Sequence, residues 1–240
     1  MKIVDLSTQT PAIKEQAAIL LVENFDKPTG WPNMESARKE VEQVLCDGFA
    51  LAMVAEEKLL GWIGGLPEYD GRVWELHPLV VHREHRRQGI GRQLVAAFEV
   101  EAARRGALTV TVSTDDDSGW TSLSGVDLYQ DLPRQIAEIR DLGYEHPFLF
   151  YQKLGFVITG VMPDANGPGL PDIYMSKSTR AISRDHQPAG GSQPAGDLQP
   201  TGERQPPEDC QLSPAVEKDI LGGLAAFQEE VGRLKGAGGG

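Results

Sequence analysis

The feature that most limits what this chain can fold into is Arg86-Arg87-Gln88-Gly89-Ile90-Gly91, a glycine pair set between a strand pattern and a helix pattern. Ahead of it, Arg72 to Val81 reads as a strand. Behind it, Gly89 to Arg105 reads as a helix with Leu94, Phe98 and Ala102 on one face. Glycines there let the backbone turn tightly and come close to a ligand. The first amides of the following helix lack internal partners and point outward, and the helix dipole adds positive character. That arrangement suits a pyrophosphate, and Arg86, Arg87 and Arg92 add positive charge to it. The segment is not a Walker loop, because no Gly-Lys-Ser/Thr follows, and it lacks the third glycine of the dinucleotide fingerprint. Taken alone, the glycine pair reads equally well as a plain strand-to-helix turn.

The elements around this turn predict a mixed α/β body over residues 1–178. Lys2 to Leu6 reads as a first strand, and Pro11 to Asn24 and Met34 to Cys46 as amphipathic helices. Phe49 to Ala55 and Leu59 to Leu66 are strands joined by the polar turn Glu56-Glu57-Lys58, which predicts a hairpin. Leu108 to Ser113 alternates as a fifth strand. The stretch Gly119 to Tyr144 is polar and partly helical, Pro147 to Leu154 is a short helix, and Phe156 to Val161 and Asp172 to Lys177 close the set. The composition then changes. Residues 179–212 are rich in Pro, Gly, Gln and Ser, which bury no core and predict a disordered linker. Residues 213–235 open with Ser213-Pro214 and carry Val216, Ile220, Leu224, Phe227, Val231 and Leu234 as one apolar stripe, which predicts an amphipathic C-terminal helix.

The formal net charge is −12. Nucleic acid is therefore not the expected partner, since phosphate binding needs clustered Lys and Arg. An acidic cleft that attracts a cationic substrate fits the charge, as does simple solubility. No apolar run is long enough to span a membrane, and the start lacks the basic and apolar segments of a signal peptide. Two cysteines far apart, Cys46 and Cys210, make neither a disulfide framework nor a zinc site. His82, His85 and His146 show no metal-ligand spacing. The reading is a cytoplasmic protein with no metal and no membrane or nucleic-acid partner.

Context sharpens the turn. Arg-x-x-Gly-x-Gly from Arg86 to Gly91, after a strand and before an amphipathic helix, resembles the coenzyme A pyrophosphate loop of the GNAT superfamily of N-acetyltransferases. The element order agrees, as does Tyr151 with Lys153-Leu154-Gly155-Phe156 on the helix after the fifth strand. A narrower set resembles one group of aminoglycoside 6'-N-acetyltransferases. It comprises Trp74-Glu75-Leu76-His77-Pro78-Leu79-Val80-Val81, Thr114-Asp115-Asp116, Asp127-Leu128-Tyr129, Glu145-His146-Pro147, Ala165-Asn166-Gly167 and Pro171-Asp172-Ile173.

The resemblance implies a GNAT fold, with a mixed central sheet splayed at the fourth strand and flanked by helices. It implies acetyl-CoA as cosubstrate, a polycationic aminoglycoside as acceptor and a homodimer. Glu75 is then the candidate base, because a protonated amine must lose a proton before it attacks a thioester. Pro78 cannot donate a ladder hydrogen bond and marks the splay. The Leu79 backbone N–H would face the thioester carbonyl, and Val80 and Val81 would run beside the pantetheine arm. Arg86, Arg87, Gln88, Gly89, Ile90, Gly91 and Arg92 would hold the pyrophosphate. Tyr151 would protonate the leaving thiolate. Trp31, Tyr69, Glu75, Asp115 and Asp116 are the acceptor-site candidates, offering carboxylates and aromatic faces to a polycation with sugar rings. His77 is readable as a base or as a packing residue. A protein, peptide or small-amine N-acetyltransferase of the same superfamily, and a non-catalytic CoA-binding or partner-binding module, remain the alternative readings.

Overall fold

The computed structural model describes residues 1–25 and 30–180. The expected linker beyond residue 180 and the expected helix over 213–235 lie outside the described residues. The element order is β1 (Lys2–Asp5), α1 (Pro11–Asn24), α2 (Met34–Asp47), β2 (Phe49–Ala55), β3 (Lys58–Glu68), β4 (Val73–Val81), α3 (Ile90–Arg104), β5 (Thr109–Asp115), α4 (Leu132–Ala137), α5 (Phe148–Lys153), β6 (Val157–Met162) and β7 (Asp172–Ser178). The strands form one seven-stranded sheet in the order β1-β2-β3-β4-β5-β7-β6. Every ladder is antiparallel except β4–β5, which is parallel and joined through α3. This is the mixed, helix-flanked sheet expected from the sequence.

Period-two alternation gives the sheet two apolar faces. Phe49, Met53, Leu60 and Ile63 point to the side where α3 brings Leu94, Val95 and Phe98 and α5 brings Phe148 and Tyr151. Ala50, Ala52, Val54, Leu59 and Trp62 point the other way, onto Ile13, Ala17 and Leu21 of α1 and Ala37, Val41 and Val44 of α2. Both α1 and α2 start on side-chain caps: Thr10 accepts from the Ile13 N–H and Asn33 from the Ser36 N–H. On the second side, β5 shows Thr109, Thr111, Ser113 and Asp115, while Val110, Val112 and Thr114 are buried against the α3 side. The sheet is thus apolar on both faces over β1–β3 but polar on one face along the start of β4 and over β5 and β7. Thr179 still belongs to this body: its hydroxyl donates to the Ala107 carbonyl and its N–H to the Leu108 carbonyl.

Candidate functional site

The site is made by an irregularity in β4. In the β3–β4 ladder Ile63 pairs with Leu79 but Gly65 pairs with Leu76, so β4 carries one residue more than its partner across this interval. The surplus falls at His77-Pro78, whose peptide is cis. Opposite it stands Gly64, where any Cβ would lie 2.3 Å from the His77 carbonyl oxygen and 2.7 Å from a Val44 methyl. Only glycine fits there. The extra residue changes which side chains face which core. Trp74 and Leu76 point into the α3 side, as do Leu79 and Val81, whereas Val80 points into the α1–α2 side. Upstream of the bulge Glu75 therefore faces the polar side of the sheet.

Beyond the bulge β4 separates from β5. Their ladder contains only Val73–Thr109, Trp74–Val110 and Glu75–Thr111, although β4 runs to Val81 and β5 to Asp115. The direction of the β4 amides follows from one bond. The His82 N–H donates to the Leu60 carbonyl at 2.9 Å, so by antiparallel alternation the Val80 N–H also points to β3 and those of Leu79 and Val81 point away, into the gap. The Val81 carbonyl oxygen agrees, since it accepts from Arg86 Nε at 3.2 Å on that side. A wedge between two parallel strands, edged by free amides, can receive an extended amide-bearing chain.

At the wide end of the wedge lies the glycine turn. Gly89 caps α3 at φ 82°, a left-handed conformation, and Ile90 is buried beneath it. No backbone or side-chain acceptor among the described residues takes the N–H groups of Arg87, Gln88, Gly89, Ile90, Gly91 or Arg92. Six consecutive outward amides at a helix start form an anion-binding nest. The arginines divide. Arg86 also bonds the Asn24 side-chain oxygen, bracing the turn against α1 while keeping its charge. Arg87 pairs with Glu145, and Arg92 is exposed. The nest and the wedge together fit a pyrophosphate carrying an amide-rich arm.

On the polar side of the sheet, a groove of about 310 Å³ is lined by Glu68, Tyr69, Val73, Glu75, Thr109, Thr111, Ser113, Tyr174 and Ser176. Glu75 is half-buried there. Burial raises its pKa most; the His77 charge opposes this, and the charges of Glu68, Asp172 and Glu40 add to it, for a net rise. His77 lies 3.2 Å from Oε1 of Glu40 on α2. The same Glu40 carboxylate accepts from Trp31 Nε1 at 3.1 Å, and the Trp31 ring packs 5.7 Å from the His77 ring. Burial lowers the His77 pKa, but the hydrogen bond and charge of Glu40, with the charges of Glu75 and Asp115, outweigh it and hold it above the usual histidine value. Tyr151 sits across the sheet among Phe148, Phe150 and Phe156; burial pushes its phenol well up, so it keeps its proton at neutral pH.

The expected site residues thus separate. Glu75, Leu79, Val81 and the turn from Arg86 to Arg92 gather around the splay, and Trp31 joins them through Glu40 and His77. Val80 is buried behind β4 and contributes only backbone. Tyr69 is exposed at the groove's edge. Asp115 and Asp116, adjacent in sequence, do different things. Asp115 is exposed at the end of β5 on the groove face. Asp116 turns inward and takes hydrogen bonds from the N–H groups of Trp120 and Thr121 and from the hydroxyls of Thr121 and Ser124, at 2.6, 3.0, 2.6 and 2.6 Å. Its carboxylate organises the loop after β5 and does not line the groove. Sequence reasoning missed Glu40, Glu68 and Tyr174. The polar alternation of β5 was the available signal for the groove; nothing in α2 singled out Glu40.

Among the described residues no group of His, Cys, Asp and Glu could hold a metal ion, and no helix is long and apolar enough to cross a membrane. Residues 18–119 match the family model "Acetyltransferase (GNAT) family". No curated protein sequence matches the chain. Many solved structures do match it, among them three acetyltransferases at 35% identity or more. An aminoglycoside 6'-N-acetyltransferase complexed with coenzyme A is 40% identical with a TM-score of 0.70, across 75% of this chain and 97% of that one. The aminoglycoside 6'-N-acetyltransferase from Enterococcus faecium is 41% identical at TM-score 0.68 over the same shares, 75% and 97%. Aminoglycoside 6'-acetyltransferase type Ii is 35% identical at 0.58, again over 75% and 97%.

Proposed function

Because this chain belongs to the GNAT family of acetyltransferases, we propose that it carries acetyl from acetyl-CoA to the 6'-amine of an aminoglycoside. The observation that carries the choice of acceptor is the groove. Glu68 and Glu75 line it, Asp115 and Asp172 stand on the same face, and among the described residues no Lys or Arg pairs with any of them. Such a face attracts a multiply charged cation and repels an acidic one.

The chain's own groups supply the remaining chemistry. Acetyl-CoA brings an activated thioester carbonyl. The nest from Arg87 to Arg92 takes the pyrophosphate, and the Leu79 and Val81 amides align the pantetheine arm in the wedge. Glu75 accepts a proton from the bound ammonium, which frees the nitrogen lone pair; its raised pKa makes it a stronger base than an exposed glutamate. As the C–N bond forms and the C–S bond breaks, the Leu79 N–H stabilises negative charge on the carbonyl oxygen. The Tyr151 hydroxyl donates a proton to the departing thiolate, and the second proton, lost from nitrogen as the amide forms, restores the phenol, whose charged form burial disfavours. The acetylated product has lost one cationic amine, so the reaction would confer resistance to the drug. We assign the enzyme to the cytoplasm, as a homodimer.

Acetyl-CoA turnover with tobramycin or kanamycin, set against basic peptides, tests the acceptor. Turnover on the 6'-amino aminoglycosides is expected. Turnover on peptides with none on any of these drugs would replace this reading with a protein N-acetyltransferase; coenzyme A binding without any turnover would leave a binding module. Light scattering of the purified chain tests the dimer.

A further inference from the structure

Asp172 is a carboxylate that the acetyl-transfer steps do not use. It opens β7, is only 7% exposed, and its Oδ1 has no hydrogen-bond partner. The other oxygen, Oδ2, accepts from the Ser113 hydroxyl. Asp172 stands directly opposite Asp115 in the β5–β7 ladder, and Ser113 stands opposite Tyr174. Residues opposite or two apart on one antiparallel face share that face. Asp172 therefore opens on the side of the sheet that carries Glu75, Tyr69 and Tyr174. A buried carboxylate oxygen with nothing to accept from is costly. Burial and the Asp115 charge raise the Asp172 pKa against the hydrogen bonds of the Ser113 hydroxyl and the Ile173 and Thr114 amides, and the charges of Glu75 and Glu68 join those of Asp172 and Asp115 on the neighbouring Tyr174. Among the described residues no Lys or Arg compensates, and no metal-binding group includes it. A cationic N–H that arrives with a ligand would supply the missing partner and offset the carboxylate charge together.

We propose that Asp172, with Asp115 across the ladder, is a second ammonium subsite, which fixes a substrate amine other than the one that is acetylated. The register separates it from the catalytic carboxylate. Glu75 is level with Thr111 on β5, whereas Asp172 is level with Asp115, four positions further along that strand. One amine is presented to Glu75 beside the splay, and another is held at the far end of the β5–β7 ladder. The subsite selects acceptors that carry at least two ammonium groups, and it acts on binding rather than on proton transfer. Ser113 holds Oδ2, and Oδ1 is the acceptor left for the incoming N–H. Tyr174, on the same face, offers its ring to the sugar between the two amines.

This inference rests on the acceptor being a polyamine drug, and the experiment keeps the two claims apart. Asp172→Asn preserves shape and removes the charge. With tobramycin, the variant is expected to raise KM roughly ten- to a hundredfold, with kcat changed less than about threefold and the coenzyme A Kd unchanged. With 6-amino-6-deoxyglucose, which has a single amine, parent and variant are expected to perform alike. An equal loss on both acceptors, or a kcat loss with KM unchanged, would overturn the subsite. Asp172→Glu keeps the charge and is expected to recover part of the tobramycin KM. If neither variant folds, the carboxylate is structural and the proposal fails. If the parent acetylates no aminoglycoside, the acceptor reading fails first. Calorimetry with tobramycin and spermine then decides the subsite: binding to the parent that Asp172→Asn abolishes supports it, and equal or absent binding refutes it.

Discussion

Three side chains near the bulge form a chain of charge. Glu40 holds His77, and the His77 charge pulls against the burial of Glu75. Two substitutions separate their roles. Glu75→Gln removes the proposed base while keeping the shape, so kcat with tobramycin should fall by about 10²- to 10⁴-fold while equilibrium binding of coenzyme A, measured by calorimetry, stays the same. Glu40→Gln acts at a distance. Without Glu40 the imidazolium loses its hydrogen bond and its strongest favourable charge, so His77 turns neutral at lower pH. Glu75 then loses the positive charge that lowers its pKa; it also loses the repulsion of Glu40, the smaller of the two effects. The Glu75 pKa should rise further, and because the proposed base acts only when ionised, the acid limb of kcat/KM against pH should move to higher pH. A limb that stays in place, or moves down, would show that His77 does not set the charge of Glu75.

Among the elements, two glycines serve β4 and α3 in opposite ways. At Gly64 the conformation is ordinary but space is absent, since a Cβ would strike the His77 carbonyl. At Gly89 space is open, with the nearest atom 3.9 Å away, but φ is 82°. Gly64→Ala should therefore displace the bulge, lowering the unfolding free energy by about 1–3 kcal/mol in chemical denaturation and depressing kcat. Gly89→Ala should cost about 1–2 kcal/mol in backbone strain and act mainly on the KM for acetyl-CoA, through the amide nest. The same comparison shows what the sequence could reveal. The αL turn at Gly89 was legible, because Gly-x-Gly between a strand and a helix is a local pattern with a local cause. Gly64 was not, because its constraint comes from a strand more than ten residues away. Glu40 and the inward turn of Asp116 were hidden for the same reason: Asp115 and Asp116 look alike in sequence, and only the loop that folds back from Trp120 to Ser124 tells them apart. The groove lay between these cases, since the polar alternation of β5 was visible but its pairing with β7 was not.

Across the described residues, an acidic face and an anion-binding turn are distinct features, and the proposed function gives each its own ligand. Net acidity alone was consistent with mere solubility; its concentration around Glu75, Asp115 and Asp172 gives it a direction. Screening should expose this. Between about 0.1 and 1 M salt the Debye length falls from about 10 to about 3 Å, and the KM for tobramycin is expected to rise at least about tenfold. The KM for 6-amino-6-deoxyglucose should change by less than about twofold, and steady-state kinetics on both acceptors check the contrast. A truncation tests the economy of the fold: about three quarters of this chain spans 97% of the related enzymes. A chain ending at Arg180 should keep its kcat with tobramycin, and a loss greater than about tenfold would give the remainder a part in the reaction.

The surplus residue at His77-Pro78 has an evolutionary consequence. A β-strand is read two residues at a time, and β4 is read in one frame up to Leu76 and in the other from Leu79. Substitutions within it change one letter. A single insertion or deletion between Val73 and Val81 would shift the frame, sending Glu75 into the apolar core or Leu76 into the groove. Length in this strand is thus frozen while its residues can drift. New acceptor preferences in this lineage should arise by point change on β5 and β7, or by growth and shrinkage of the loop from Asp117 to Glu145, and not by lengthening β4.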